Sequence, residues 1–251
     1  MFRRTPNPFF LLGFLAMAWQ PMTQGSEPGS VLDRVVSGSG NIVLFGDSTT
    51  ALRGKTKTYG ELLEAVLLEK NLAVQIINSG VPSNTTSMAR KRFQRDVIAH
   101  NPALVVIQFG INDAAVDVHK NPPAEGPRVD RETYLSNMEY FIDEVKAQGG
   151  EAILMTPNRL CWTPALRNLY GKPPYQPDDA DGFNVIMDGY VDGLRELARK
   201  KAVRLVDVNA AYKNFPAETG KPIDVLLSDG MHPNDRGHQL VKDLLMEEIT
   251  K

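Results

Sequence analysis

From residue 41 onward, apolar residues recur in two alternating rhythms. Short, nearly continuous β-type runs occur at Asn41–Phe45 (NIVLF), Ala73–Ile77, Ala103–Phe109 (ALVVIQF), Ala152–Met155 and Val203–Val206. Between them lie longer stretches with apolar residues at three- and four-residue spacing. In Tyr59–Lys70 these are Leu62, Leu63, Val66 and Leu67, and in Arg131–Gln148 they are Tyr134, Met138, Phe141, Ile142 and Val145. The first rhythm suits strands and the second amphipathic helices. Thr86–His100 and Asn184–Lys200 also read as helices, and Pro233–Asn234 opens a terminal helix over Asn234–Glu248. Strands that alternate with helices build a parallel sheet covered on both faces, an α/β layering with five strands. The run ALVVIQF, apolar almost throughout, fits a central strand buried on both sides. Thr156–Gly182 breaks the rhythm with prolines and aromatics (Trp162, Tyr170, Pro173, Pro174, Tyr175, Pro177) and reads as an ordered excursion over the carboxyl edge of the sheet.

The beginning of the chain follows neither rhythm. Arg3 and Arg4 precede an apolar stretch from Phe9 to Trp19, and Ala16 and Ala18 close it in the A-x-A manner. This is the layout of a secretory signal peptide, and the run is shorter than the ~20 apolar residues of a membrane span. The reading is therefore residues 1–25 as signal peptide and start of linker, cleaved near Ala18, residues 26–40 as linker, and residues 41–251 as one domain. The product is expected to be secreted or periplasmic, with no stable membrane span in its mature form.

Composition narrows the partners. Lys and Arg total 28 against 30 Asp and Glu, a formal charge of −2. Such a balance offers no basic stripe for phosphates, so nucleic acid is not an expected partner. The single cysteine, Cys161, cannot form an intramolecular disulfide and has no cysteine-protease signature around it. No cofactor or metal is expected.

In an open parallel sheet, ligands bind beyond the carboxyl ends of the strands. Gly46-Asp47-Ser48 follows the first strand, Asn78-Ser79-Gly80 the second and Gly110-Ile111-Asn112-Asp113 the third; Asp229-Gly230-Met231-His232 precedes the last helix. A hydroxyl nucleophile needs a base and a group that holds the base in the right tautomer. Asp229 and His232, three residues apart in a tight loop, can supply both for Ser48. The backbone N–H groups of Ser48 and Gly80, with the Asn112 side-chain amide, can then surround a developing oxyanion. Taken one at a time, these residues also suit plain structural roles: Ser48 as a helix N-cap, Gly80 as a strand terminator, Asn112 and Asp229 as turn formers. Their joint occurrence at four loop positions is what those roles leave unexplained.

The four blocks resemble the GDSL, or SGNH, hydrolase superfamily, with Ser48, Gly80, Asn112 and His232 at the matching positions. The resemblance covers the chain from Asn41 onward. It implies a three-layer αβα flavodoxin-like fold, Asp229 as third member of a Ser/His/Asp triad, and hydrolysis of carboxylic esters on a small molecule or glycan. One departure is visible: GDST stands where GDSL is commoner, so Thr49 is expected to alter pocket shape. Two other readings use the same loops. In one, Asp47, Asp113, Asp229 and His232 are ligands of a metal-dependent phosphoesterase; in the other, the chain is an inert secreted binding module.

Overall fold

A computed structural model of the chain describes residues 1, 30–38 and 40–251. The expected signal segment therefore lies outside the described residues. Five parallel strands, β1 (Asn41–Gly46), β2 (Gln75–Gly80), β3 (Pro102–Gln108), β4 (Glu151–Met155) and β5 (Arg204–Val206), form one sheet in the order β2-β1-β3-β4-β5. The described residues also form eight α-helices: α1 (Val31–Ser37), α2 (Tyr59–Glu69), α3 (Thr86–Asp96), α4 (Arg131–Ala147), α5 (Pro164–Tyr170), α6 (Met187–Lys201), α7 (Val208–Thr219) and α8 (Asp235–Ile249). This is the doubly wound, flavodoxin-like arrangement, and all five predicted strands are present in it.

Two cores explain the near-continuous apolar strands. Side chains alternate across a strand, so Val43, Phe45, Val105 and Ile107 face one layer, where α4 packs through Tyr134, Met138, Phe141, Ile142 and Val145. Ile42, Leu44, Leu104 and Val106 face the other, where α2 contributes Tyr59, Leu63 and Leu67. In the first layer Phe45, Phe93, Phe109 and Phe141 meet at ring-centroid distances of 4.8–6.2 Å. Such contacts add to the burial of their area.

Three helices were not anticipated. Residues 31–37, read as linker, form α1: Ser30 caps it reciprocally with Asp33, and Val31, Leu32 and Val35 join the second core. This stretch is therefore not linker: its apolar residues at helical spacing cover a sheet face. The excursion contains α5, opened by Thr163 as N-cap with Pro164 in the first turn. Helix α7 follows β5 directly, its N-cap Asp207 accepting from the Ala210 N–H.

The strand order reverses between β1 and β3, which leave the sheet in opposite winding directions. Their carboxyl ends splay into a crevice there, the usual ligand position of this topology.

Candidate functional site

Ser48 lies just after β1, in a turn held from inside. Asp47 is fully buried; its Oδ1 accepts from the Thr49 N–H at 2.9 Å and from the Thr49 hydroxyl at 2.9 Å. Its backbone carbonyl accepts from the N–H groups of Thr50 and Ala51. Burial pushes the Asp47 carboxyl up, against the lowering effect of these bonds. The Thr49 hydroxyl sits between Asp47 and the side-chain amide of Gln108 on β3. Thr49 thus faces a small buried void, away from the main cavity, which corrects the expectation that it shapes the pocket.

His232 reaches the same point from the other side. Ser48 Oγ is 3.0 Å from His232 Nε2, and His232 Nδ1 is 2.7 Å from Asp229 Oδ2. Asp229 is fixed by local geometry: its Oδ1 accepts from the backbone N–H groups of His232 (2.8 Å) and Met231 (3.0 Å). Burial raises the Asp229 carboxyl, but the bonds from His232 and Met231 outweigh it and hold the carboxyl below its ordinary value. The loop closes on Gly230, whose φ of +87° L side chains rarely adopt and whose missing Cβ would lie 2.6 Å from the Cys161 carbonyl.

The second block departs from expectation. The Gly80 N–H donates to Asn78 Oδ1 at 2.9 Å, and Gly80 does not line the cavity beside Ser48. A Cβ at Gly80 would come within 2.3 Å of the Ala51 nitrogen. Gly80 is therefore a place of close backbone approach, and its amide is already engaged. Three residues on, Ser83 does line the cavity, adopts a left-handed φ of +63°, and its N–H has no hydrogen-bond partner among the described residues. The sequence does not mark it, because a serine carries no signature of positive φ. The nearby loop is stitched down by buried Arg92, which donates to Asn84 Oδ1, to the carbonyls of Ser79 and Gly46, and to Asp96.

Asn112, after β3, faces the cavity with Ser48 and His232. Its Nδ2 donates to Asp47 Oδ2 at a long 3.4 Å, and its Oδ1 accepts from Arg128 Nη1 at 3.2 Å. Asp113 points elsewhere: its Oδ1 accepts from the N–H and hydroxyl of Thr86, and burial pushes its carboxyl up to about 6.

These residues open onto a cavity of about 480 Å³. One side is polar, with Ser48, Ser83, Asn112, Arg128, Arg53 and His232. The apolar lining comes from the excursion, through Leu160, Tyr170 and Tyr175, and from the residues that follow it, Phe183, Ile186 and Met187. Tyr170, Tyr175 and Phe183 are buried and pack edge-on or tilted against one another. Trp162 stacks on Phe183 at 4.5 Å behind them. Buried Arg159, bonded to Asp181 and Asp188, ties the excursion to α6.

The other histidines, the cysteine and the carboxylates of the metal reading fall outside this set. His238 is fully buried, its Nδ1 accepting from the Tyr59 N–H, and burial lowers it to about 4. His119 is exposed, edge-on to Tyr170, and His100 is exposed after α3. Cys161 is half-buried, which raises its thiol and makes it a poorer nucleophile. Asp47, Asp113, Asp229 and His232 do not converge as ligands: Asp47 and Asp113 turn to the hydroxyls of Thr49 and Thr86. Among the described residues no group of three or more His, Cys, Asp or Glu is placed to hold a metal ion.

Residues 44–240 match the model of the GDSL-like Lipase/Acylhydrolase family. Over 214 residues the chain is 32% identical to the "Uncharacterized lipoprotein YqeF" of Bacillus subtilis (strain 168), covering 80% of this chain and 84% of that protein. It is 28% identical over 229 residues to the acetylxylan esterase of Geobacillus stearothermophilus, covering 84% and 95%. The crystal structure of the lipase/acylhydrolase from Enterococcus faecalis superposes with a TM-score of 0.64 at 26% identity, covering 84% and 95%. With the first, third and fourth blocks meeting at one crevice of a doubly wound sheet and a family match spanning most of the fold, the chain belongs to the GDSL-like lipase/acylhydrolase family and, with it, to the carboxylic-ester hydrolases.

Proposed function

We propose that the protein is an exported serine esterase that cleaves short acyl or acetyl esters, on a small molecule or a glycan, through Ser48, His232 and Asp229. The observation that carries this reading is the relay Ser48 Oγ to His232 Nε2 (3.0 Å) and His232 Nδ1 to Asp229 Oδ2 (2.7 Å) at the wall of the cavity.

Ser48 Oγ attacks the ester carbonyl carbon and passes its proton to His232 Nε2. Asp229, ionised, accepts the Nδ1–H bond and stabilises the imidazolium. The carbonyl oxygen becomes an oxyanion, which the Ser48 N–H, the Ser83 N–H and the Asn112 Nδ2–H groups are suited to receive. None of the three is strongly engaged in the free protein: both backbone amides are unpartnered among the described residues and the Asn112 contact to Asp47 is long. Preorganised donors of this kind favour the transition state over the ground-state carbonyl. His232 returns the proton to the departing alcohol, which leaves an acyl group on Ser48. A water molecule, deprotonated by His232, then releases the carboxylic acid and regenerates Ser48.

The substrate class rests on similarity to the acetylxylan esterase. Export rests on the Arg3-Arg4, Phe9–Trp19, Ala16 and Ala18 pattern, together with similarity to a bacterial protein named a lipoprotein. Among the described residues no helix is long and apolar enough to cross a membrane. A fluorophosphonate probe should label Ser48, and turnover of p-nitrophenyl acetate should be unaffected by EDTA. Absence of labelling, or loss of turnover with the chelator, would refute the serine mechanism. A panel of acyl lengths and acetylated xylan tests the substrate class, and N-terminal sequencing of exported material tests cleavage.

A further inference from the structure

We infer that Arg128 is a positioning residue that fixes the orientation of the Asn112 amide at the site proposed above, on which this inference rests. A side-chain amide has two faces of opposite character, one accepting and one donating, and it stabilises an oxyanion only when its NH₂ faces the reacting centre. Rotation by 180° about the last side-chain bond would present a carbonyl oxygen there, repelling the developing charge. The structure supplies a device against that rotation. Arg128 Nη1 donates to Asn112 Oδ1 at 3.2 Å, and a guanidinium has no acceptor with which to receive an NH₂ group. On the other side of the amide, Asp47 Oδ2 accepts from Nδ2 at 3.4 Å. A donor-only guanidinium on Oδ1 and an accepting oxygen on Nδ2 thus bracket the amide, and the guanidinium rejects the flipped state.

Arg128 can hold this position because it is itself held. Its Nε and Nη2 fork onto Asp117, with Nη2–Oδ1 at 2.6 Å and Nε–Oδ1 at 3.1 Å. Asp117 is 5% exposed, and the bonds from Arg128, joined by Lys120, hold its carboxyl down at about 2. The loop between Asn112 and Arg128 is closed by backbone bonds from Arg128 N to the Ala115 carbonyl (2.9 Å) and from Val129 N to the Asp113 carbonyl (3.1 Å). With the fork anchored, one guanidinium nitrogen remains for Asn112. A cation on Oδ1 also polarises the amide and strengthens its N–H groups as donors, as in hydrogen-bond chains generally. A lysine offers one point of charge in place of a fork and cannot reproduce both engagements with the same geometry.

A double-mutant cycle on the full chain tests the assignment, with kcat and KM for p-nitrophenyl acetate, fluorophosphonate labelling and melting temperature measured on each preparation. R128M should lower kcat by about tenfold to a hundredfold, a fraction of the ~10²- to 10³-fold loss for deleting an oxyanion donor, with KM changed by less than about threefold. In the N112A background the same substitution should change kcat by less than about twofold, since there is no amide left to orient. If R128M leaves Asp117 too poorly paired to fold, R128K, which keeps a cation beside Asp117, takes its place in the cycle. A wild-type kcat in the arginine variant, or an equal loss with and without Asn112, overturns the assignment and leaves Arg128 as a loop brace. A wild-type protein inert to both ester and probe overturns the esterase reading, and the assignment falls with it.

Discussion

Gly80→Ala separates two roles for the second block, because it preserves the Gly80 N–H while adding a single methyl group. If Gly80 served mainly as an amide donor, alanine would leave the donor intact and activity largely unchanged. The structure argues for a different outcome. The added Cβ would lie 2.3 Å from Ala51 N, 2.6 Å from the Thr50 carbonyl carbon and 2.7 Å from Ala51 Cα. The nearest of these is more than about 1 Å short of an ordinary van der Waals contact, and all three atoms are backbone, so no side chain can rotate away. Either β2 or the Asp47–Ala51 turn must move by roughly that amount. The turn is braced by Asn78, whose Nδ2 donates to the Thr50 carbonyl at 2.7 Å, and by the Asp47 carbonyl. Overpacking of this kind costs about 1–3 kcal/mol. For a chain of this size each kcal/mol moves the melting temperature by roughly 2–4 °C. Displacing the nucleophile's turn by about 1 Å should lower kcat by about 100-fold. Thermal unfolding and steady-state kinetics on the same preparation provide the assay. A Gly80→Ala protein with wild-type melting temperature and wild-type kcat would refute the close-approach argument.

Ser48→Ala and His232→Ala should each reduce kcat by at least about 10⁴-fold, because nucleophile and base act as a unit, and Asp229→Asn by about 10⁴-fold through loss of tautomer control; near-normal turnover by a folded variant would remove that residue from the mechanism. Asn112→Ala should lower kcat by about 10²- to 10³-fold with little change in KM, and an unchanged kcat would exclude its amide from the oxyanion site. Asp113 bears on stability against pH. Its folded carboxyl is raised to about 6, chiefly by burial, so its contribution is fully present below about pH 4 and lost as pH rises through 6. Asp113→Asn should therefore gain about 2–3 kcal/mol relative to wild type between pH 4 and pH 7.5, measured by urea unfolding, and an equal stability difference at both pH values would contradict it.

Repeating patterns in the chain determined the layered fold. Val43 and Phe45 face one layer and Ile42 and Leu44 the other, and a run apolar on both faces has no stable place except inside a helix-covered sheet. Ser48, Asn112, Asp229 and His232 were legible as candidates because chemistry restricts which side chains can act as nucleophile, amide donor, carboxylate and base, and because each falls in a loop at the carboxyl edge. Helix α1 was not legible, since its three buried residues in a short segment make a helix only when a sheet face is there to cover. The second block shows the same limit at the scale of one amide. Nothing in Asn78-Ser79-Gly80 tells that the Gly80 N–H is taken by Asn78 while Ser83, three residues later, turns a left-handed residue into the cavity wall. Arg128 lies 16 residues from Asn112 along the chain and reads locally as an ordinary surface cation. Which hydrogen bonds a backbone or side-chain group makes depends on partners brought near by folding, and only the tertiary structure decided that Asp117 would anchor Arg128 and leave one nitrogen for Asn112.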